Sequence, residues 1–117
     1  MAIDIATEIA RQLALYSNFV KEEITEVAEM VATDAVRKLE QTSPERTGDY
    51  AKGWTKKKNK SGYTVHNATD YQLTHLLEKG HVNRDGSRTD PRVHIKPVED
   101  ESNREFENEL IRRVSEW

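Results

Sequence analysis

The sequence predicts an α+β fold: a long N-terminal helical segment, a small antiparallel sheet with a hairpin, and a C-terminal helix packed on one face. Three observations predict it. Apolar residues recur at steps of three or four along the first third of the chain, the spacing of one helix face. Tyr63-Thr64-Val65-His66-Asn67 alternates apolar and polar side chains behind the turn residues Asn59-Lys60-Ser61-Gly62, the pattern of a hairpin strand. Phe106, Leu110, Ile111 and Val114 form a second helical stripe near the C-terminus.

Residues 3–40 read as helix, with Ile9, Leu13, Tyr16, Val20, Ile24, Val27 and Val31 as the stripe, continued by Ala35 and Leu39. One unbroken helix of that length would be about 55 Å long, while a compact domain of this size has a radius of gyration of only about 13 Å. Ser17 and Asn18 are good N-cap residues, so the expected arrangement is a short helix over 3–15 and a longer one over 18–41. The first two turns have little of their own domain to pack on, which hints at subunit contact. Thr42-Ser43-Pro44 ends the helix, because the residue before proline is pushed out of the helical region. Thr47 to Ala51, with Gly48 as a permissive turn residue, can form one short turn.

Trp54–Lys58 alternates weakly and pairs with 63–67 to complete the hairpin. Asp70 is a candidate N-cap for a helix through Tyr71, Leu73, Leu76 and Leu77, which Gly80 stops as a left-handed C-terminal residue. Residues 82–92 are polar, with Asp85-Gly86 as a turn and Pro91 opposing regular structure, and a loop of this length usually has a function or orders on a partner. Val93-His94-Ile95 reads as a short strand. Pro97 suits the first position of the last helix, and Glu99, Asp100 and Glu101 complement its dipole. The expected core is Leu13, Val20, Ile24, Val27, Val31, Trp54, Leu76, Leu77, Ile95, Phe106 and Leu110. The chain is expected to be one domain over 1–117, with 1–17 as a projecting helix or arm and 81–92 as a flexible loop.

Composition narrows the function. With 35% hydrophobic and 33% charged residues in 117, the core must be thin, so the chain is either a modest monomer or a subunit that completes its core with neighbours. There is no cysteine, which excludes disulfides and thiolate metal sites. No signal peptide is visible and no apolar run approaches a membrane span, so a soluble intracellular product without a membrane partner is expected. Residues 41–66 hold six basic and two acidic side chains, while 1–40 hold four and eight and 98–117 hold three and seven. An acidic–basic–acidic distribution of this kind can set the register of a like subunit or a partner.

No pattern of catalytic residues stands out. His75 and His81 do not share a helix face, and Lys79 stands where an HxxEH zinc motif needs its second histidine, so His66, His75, His81 and His94 make no metal set. No phosphate loop and no nucleophile motif occurs. The expectation is no enzymatic activity, no cofactor and no metal. Lys56, Lys57, Lys58 and Lys60 beside Trp54 and Tyr63 could form a surface for nucleic acid, but lysines also keep an exposed hairpin edge from pairing wrongly. The overall charge of −3 argues against affinity built on phosphates, so no specific nucleic acid is expected. A small nucleic-acid-binding protein using the basic hairpin is the alternative from another class. Asn67-Ala68-Thr69 matches a glycosylation acceptor but, without a secretory signal, marks only a turn.

Three segments together resemble the gene-product-ten-like tail-component family of long-tailed, siphovirus-type bacteriophages and prophages. They are Ser43-Pro44-Glu45-Arg46-Thr47-Gly48, the helix from Tyr71 to Glu78-Lys79-Gly80-His81, and Pro91-Arg92-Val93-His94-Ile95-Lys96-Pro97-Val98. The chain departs from the family at Lys79, where an aromatic is common, and at His94-Ile95, where Phe-Leu is common. Both departures are expected at surface or interface positions. The resemblance implies a structural virion-assembly protein of the head–tail neck, acting in tail completion or head–tail joining, with a tail terminator or minor capsid component as alternatives. It further implies a cyclic homo-oligomer, a hexameric ring among the options, and contacts with other neck and tail proteins. The implied location is the virion, after assembly in the host cytoplasm. The expected contact residues are Lys56, Lys57, Lys58, Lys60, Lys79, His81, Arg84, Arg88 and Arg92, and the expected structural positions are Pro44, Gly48, Gly80 and Pro97.

Overall fold

A computed structural model describes residues 2–5, 18–44, 48–59, 62–70 and 72–115, excepting the side chains of 18–20 and 114. In chain order the elements are β1 (Ile3–Ile5), α1 (Asn18–Thr42), α2 (Asp49–Lys52), β2 (Trp54–Lys58), β3 (Tyr63–Asn67), α3 (Leu73–Lys79), β4 (His81–Val82), β5 (Arg88–Thr89) and α4 (Ile95–Ser115). The architecture is α+β, with α1 lying across β2 and β3 and against α4.

α1 forms where the sequence places it. Ile24, Val27, Ala28, Val31, Ala32, Ala35 and Leu39 bury one continuous face, each complete side chain of Val, Leu or Ile size contributing about 1.5–3 kcal/mol. Ser43 N closes the last turn on Leu39 O at 2.9 Å, and Pro44 follows. The hairpin also stands as expected, Trp54 opposite Asn67 and Lys58 opposite Tyr63. Asn59 shapes its turn: its Oδ1 accepts from Gly62 N at 2.7 Å.

α4 packs on α1 through Val98, Phe106 and Leu110. Arg113, near the end of α4, reaches Glu23 at 3.0 Å and Glu26 at 3.1 Å near the start of α1. Lys38, near the end of α1, reaches Glu101 at 2.8 Å and Glu105 at 3.4 Å. The two helices therefore run antiparallel, with an ion-pair cluster at each end.

The structure corrects the expected elements and core at five places. Residues 3–5 are not helix: Ile3-Asp4-Ile5 is a strand paired antiparallel with Val65-Thr64-Tyr63, making the sheet order β1-β3-β2. Two β-branched residues flank one aspartate, so the segment can bury Ile3 and Ile5 on the core side and leave Asp4 outside, and pairing wins over the helical register. The remainder of the expected 3–15 helix, with Leu13, lies outside the described residues, as does the Val20 side chain. Val93-His94-Ile95 is not a strand: Val93 is exposed and Ile95 begins α4. Pro97 accordingly falls third in the helix, where its missing N–H is still harmless.

The fourth correction is that Leu76, expected in the core, is 43% exposed, because α3 turns Thr74, Leu77 and Glu78 inward instead. The last concerns the ends of α3. Gln72 rather than Asp70 precedes its first turn, and Gly80 leaves it at φ 74 and ψ 179, a positive φ that favours glycine but with ψ far from the left-handed helix. Residues 81–92 contain the β4–β5 ladder, His81 opposite Thr89 and Val82 opposite Arg88.

Candidate docking site

Glu78 is the pivot of the region after the hairpin. It lies on the inner face of α3 and is 6% exposed. Its Oε1 accepts the backbone N–H of His94 at 2.8 Å and of Ile95 at 2.9 Å, and its Oε2 accepts that of Lys96 at 2.8 Å. A helix leaves its first N–H groups without internal partners. At α4 one carboxylate takes three of them, and Pro97 has no N–H to satisfy. The anion also sits at the positive end of the helix dipole. Burial pushes the Glu78 carboxyl up, but the three N–H donors and the neighbouring His94 ring outweigh it and hold it below the usual carboxylate range.

His94 extends the network into the core. Its Nδ1 lies 2.7 Å from Arg92 O and 3.2 Å from Glu78 Oε1, both acceptors, so Nδ1 bears a hydrogen. In the neutral ring Nε2 then accepts from the Tyr50 hydroxyl at 2.8 Å. Burial first, and the Glu78 charge second, push the Tyr50 hydroxyl well above the ordinary tyrosine range. Tyr50, Trp54 and His94 meet edge to face, with centroids 5.6–6.5 Å apart, an arrangement favoured by the ring quadrupoles. The Trp54 indole N–H donates to Ser43 Oγ at 2.8 Å. Asn67 Nδ2 donates to Tyr50 O at 2.7 Å, and Asn67 Oδ1 accepts from Thr69 N and Asp70 N. His94, expected at a surface, is instead 4% exposed. Gly48 precedes α2 at φ 86.

Residues 72–93 form an arm anchored by this knot. Its tip is held by its own bonds: Asn83 N to Ser87 O at 2.7 Å, Gly86 N to Asn83 O at 3.1 Å, and Ser87 N to Asp85 Oδ1 at 2.9 Å. Ser87 holds the Asp85 carboxyl below its usual range. At the base, Arg92 N donates to Leu77 O at 2.6 Å and Arg88 reaches Lys79 O at 3.1 Å. Gly80 lets the two chains of the arm meet: a Cβ there would lie 2.4 Å from Thr89 O. The arm exposes Leu73, Leu76, Val82 and Val93. Lys79, Arg84, Arg88 and Arg92 are exposed beside them, and His81 is half-buried.

Lys56 is spent within the chain, bonding Thr33 Oγ1 at 2.7 Å and Glu29 Oε1 at 3.2 Å and lying over the Tyr63 ring at 5.8 Å. That contact holds the Glu29 carboxyl low. Lys57 and Lys58 are exposed, and Lys60 lies outside the described residues. Among the described residues, no group of three or more His, Asp or Glu side chains could hold a metal ion, and no helix is long and apolar enough to cross a membrane.

Residues 7–80 match the model of a family described as "Bacteriophage HK97-gp10, putative tail-component". The chain belongs to the HK97-gp10-like family. The match covers well over half of the 117 residues and bears out the resemblance read from Ser43-Pro44 through Gly80. It places the chain in a family of phage tail components, with the virion and other tail proteins as the corresponding location and partners. No curated protein and no solved structure matches the chain. For this HK97-gp10-like chain, the match includes Ser43, Tyr50, Trp54, Asn67 and Glu78 of the knot and stops at Gly80, before β4.

Sequence reasoning found the arm's basic residues but missed the Glu78–His94–Tyr50 network. One signal was available. Thr74 and Glu78 are four apart, so a helix that turns Leu73 and Leu76 outward must turn a hydroxyl and a carboxylate inward.

Proposed function

We propose that this protein is a structural subunit of the phage head–tail neck, acting in tail completion or head–tail joining, and that it works by docking rather than by catalysis. Four of the six large apolar side chains exposed among the described residues, Leu73, Leu76, Val82 and Val93, lie on the arm, and that observation carries the reading. A 22-residue segment that turns Thr74 and Glu78 inward and Leu73 and Leu76 outward is arranged to meet another surface. The exposed cations Lys79, Arg84, Arg88 and Arg92 share the arm with those side chains and suit an acidic partner with an apolar centre, where charge sets orientation and apolar burial sets affinity. Contact between copies in a ring uses two different surfaces of one chain, and the basic arm and the acid-rich outer sides of α1 and α4 are two such surfaces.

The test is native mass spectrometry of the protein alone and mixed with the neck and tail proteins encoded beside it. A closed oligomer, or a defined complex with one of them, is the expected result. A monomer under every condition and with every neighbour contradicts the proposal.

A further inference from the structure

The arm is joined to the body by polar contacts far more than by apolar ones. Of the inward residues of α3, Thr74 and Glu78 are buried and Leu77 is only half-buried. Neither α3 nor the β4–β5 ladder packs extensively on any element of the body. The tip holds bonds of its own between Asn83 and Ser87. The Glu78 carboxylate, by contrast, gathers three N–H bonds from the start of α4 and lies beside His94. Elements with few buried apolar contacts open at lower free energy than the core.

We propose that residues 72–93 dock on and leave the body as one unit, with the Glu78 carboxylate seated on the first turn of α4 as the latch. In the docked state the carboxylate fixes both the start of α4 and the direction in which Leu73 and Leu76 face. In the free state the N–H groups of His94, Ile95 and Lys96 return to water and the arm swings with its tip intact. A partner that binds only one of the two arm positions shifts the balance by its preference for that position. The device goes beyond the docking role and stands or falls separately from it.

Hydrogen exchange of the intact wild-type protein in sub-denaturing guanidinium tests it directly. The amides of His94, Ile95 and Lys96, which bond Glu78 across the joint, are expected to share one opening event, of lower free energy and smaller denaturant dependence than those of α1 and β3. A single opening shared by these amides with α1 and β3 overturns the proposal. In the Glu78→Gln variant, the same three amides are expected to exchange about tenfold faster or more, while α1 and β3 remain protected. Wild-type protection of these amides in that variant also overturns it. The wild-type experiment decides the matter even if the variant does not fold.

Discussion

The Glu78 carboxylate and the Ile95 backbone N–H meet at 2.9 Å across 17 residues of chain. A side chain at the end of one helix thereby caps the start of the next, and everything between them is held as a closed excursion. The sequence marks of the two ends, Glu78-x-Gly80 and the Pro97 element, are two halves of one structural joint. This explains how an acidic residue can be buried in a small domain: its hydrogen bonds are complete and its charge faces a helix N-terminus.

Acid is expected to loosen that joint. The folded carboxyl of Glu78 titrates below its ordinary value of 4.5, so its contribution is fully present above that pH and is lost as pH falls through the folded value. His94 and Tyr50 are the titratable side chains in its network. Urea midpoints measured from pH 7 to pH 3 should fall for the wild type and fall less for Glu78→Gln, the two curves converging at the acid end. Parallel curves would remove Glu78 as the cause.

Tyr50→Phe removes the hydroxyl that His94 Nε2 accepts from and leaves that nitrogen buried without its donor. The expected loss is about 1–2 kcal/mol, read from chemical denaturation. A change within about 0.5 kcal/mol, the range of ordinary surface substitutions, would show that the contact is dispensable.

Gly80→Ala meets two penalties at once: a φ of 74 and a Cβ placed 2.4 Å from Thr89 O. The backbone term alone costs about 1 kcal/mol or more, and the steric clash adds to it. Calorimetry should show a lower Tm, with the chemical shifts of 81–89 displaced. Gly86→Ala is the control for space: at φ 86, with nothing within 4 Å of its Cβ, it should cost less.

The helices and the hairpin were legible because each satisfies its own local pattern. The stripe from Ile24 to Leu39 and the alternation at Tyr63–Asn67 define their elements without reference to anything distant. β1 was not legible: Ile3-Asp4-Ile5 fits a helical stripe as well as a strand, and only its pairing with β3 decides. The region from 73 to 97 was legible in outline and misread in detail for the same reason. Leu76 looks like core until Glu78 is known to point inward, and Val93–Ile95 looks like a strand until a distant carboxylate is known to cap Ile95. The basic residues of the candidate contact surface could be read from the sequence, but that Lys56 is consumed by Glu29 and Thr33 could not.

Docking through the arm is the central claim, and a paired variant tests it most directly. Leu73→Asp with Leu76→Asp alters two exposed side chains that lie outside the core, so stability should stay within roughly 1 kcal/mol of wild type. Native mass spectrometry of the folded double variant with the neighbouring neck and tail proteins should then show the oligomer or complex lost while the wild type retains it. Undiminished assembly by that variant would contradict docking through the arm.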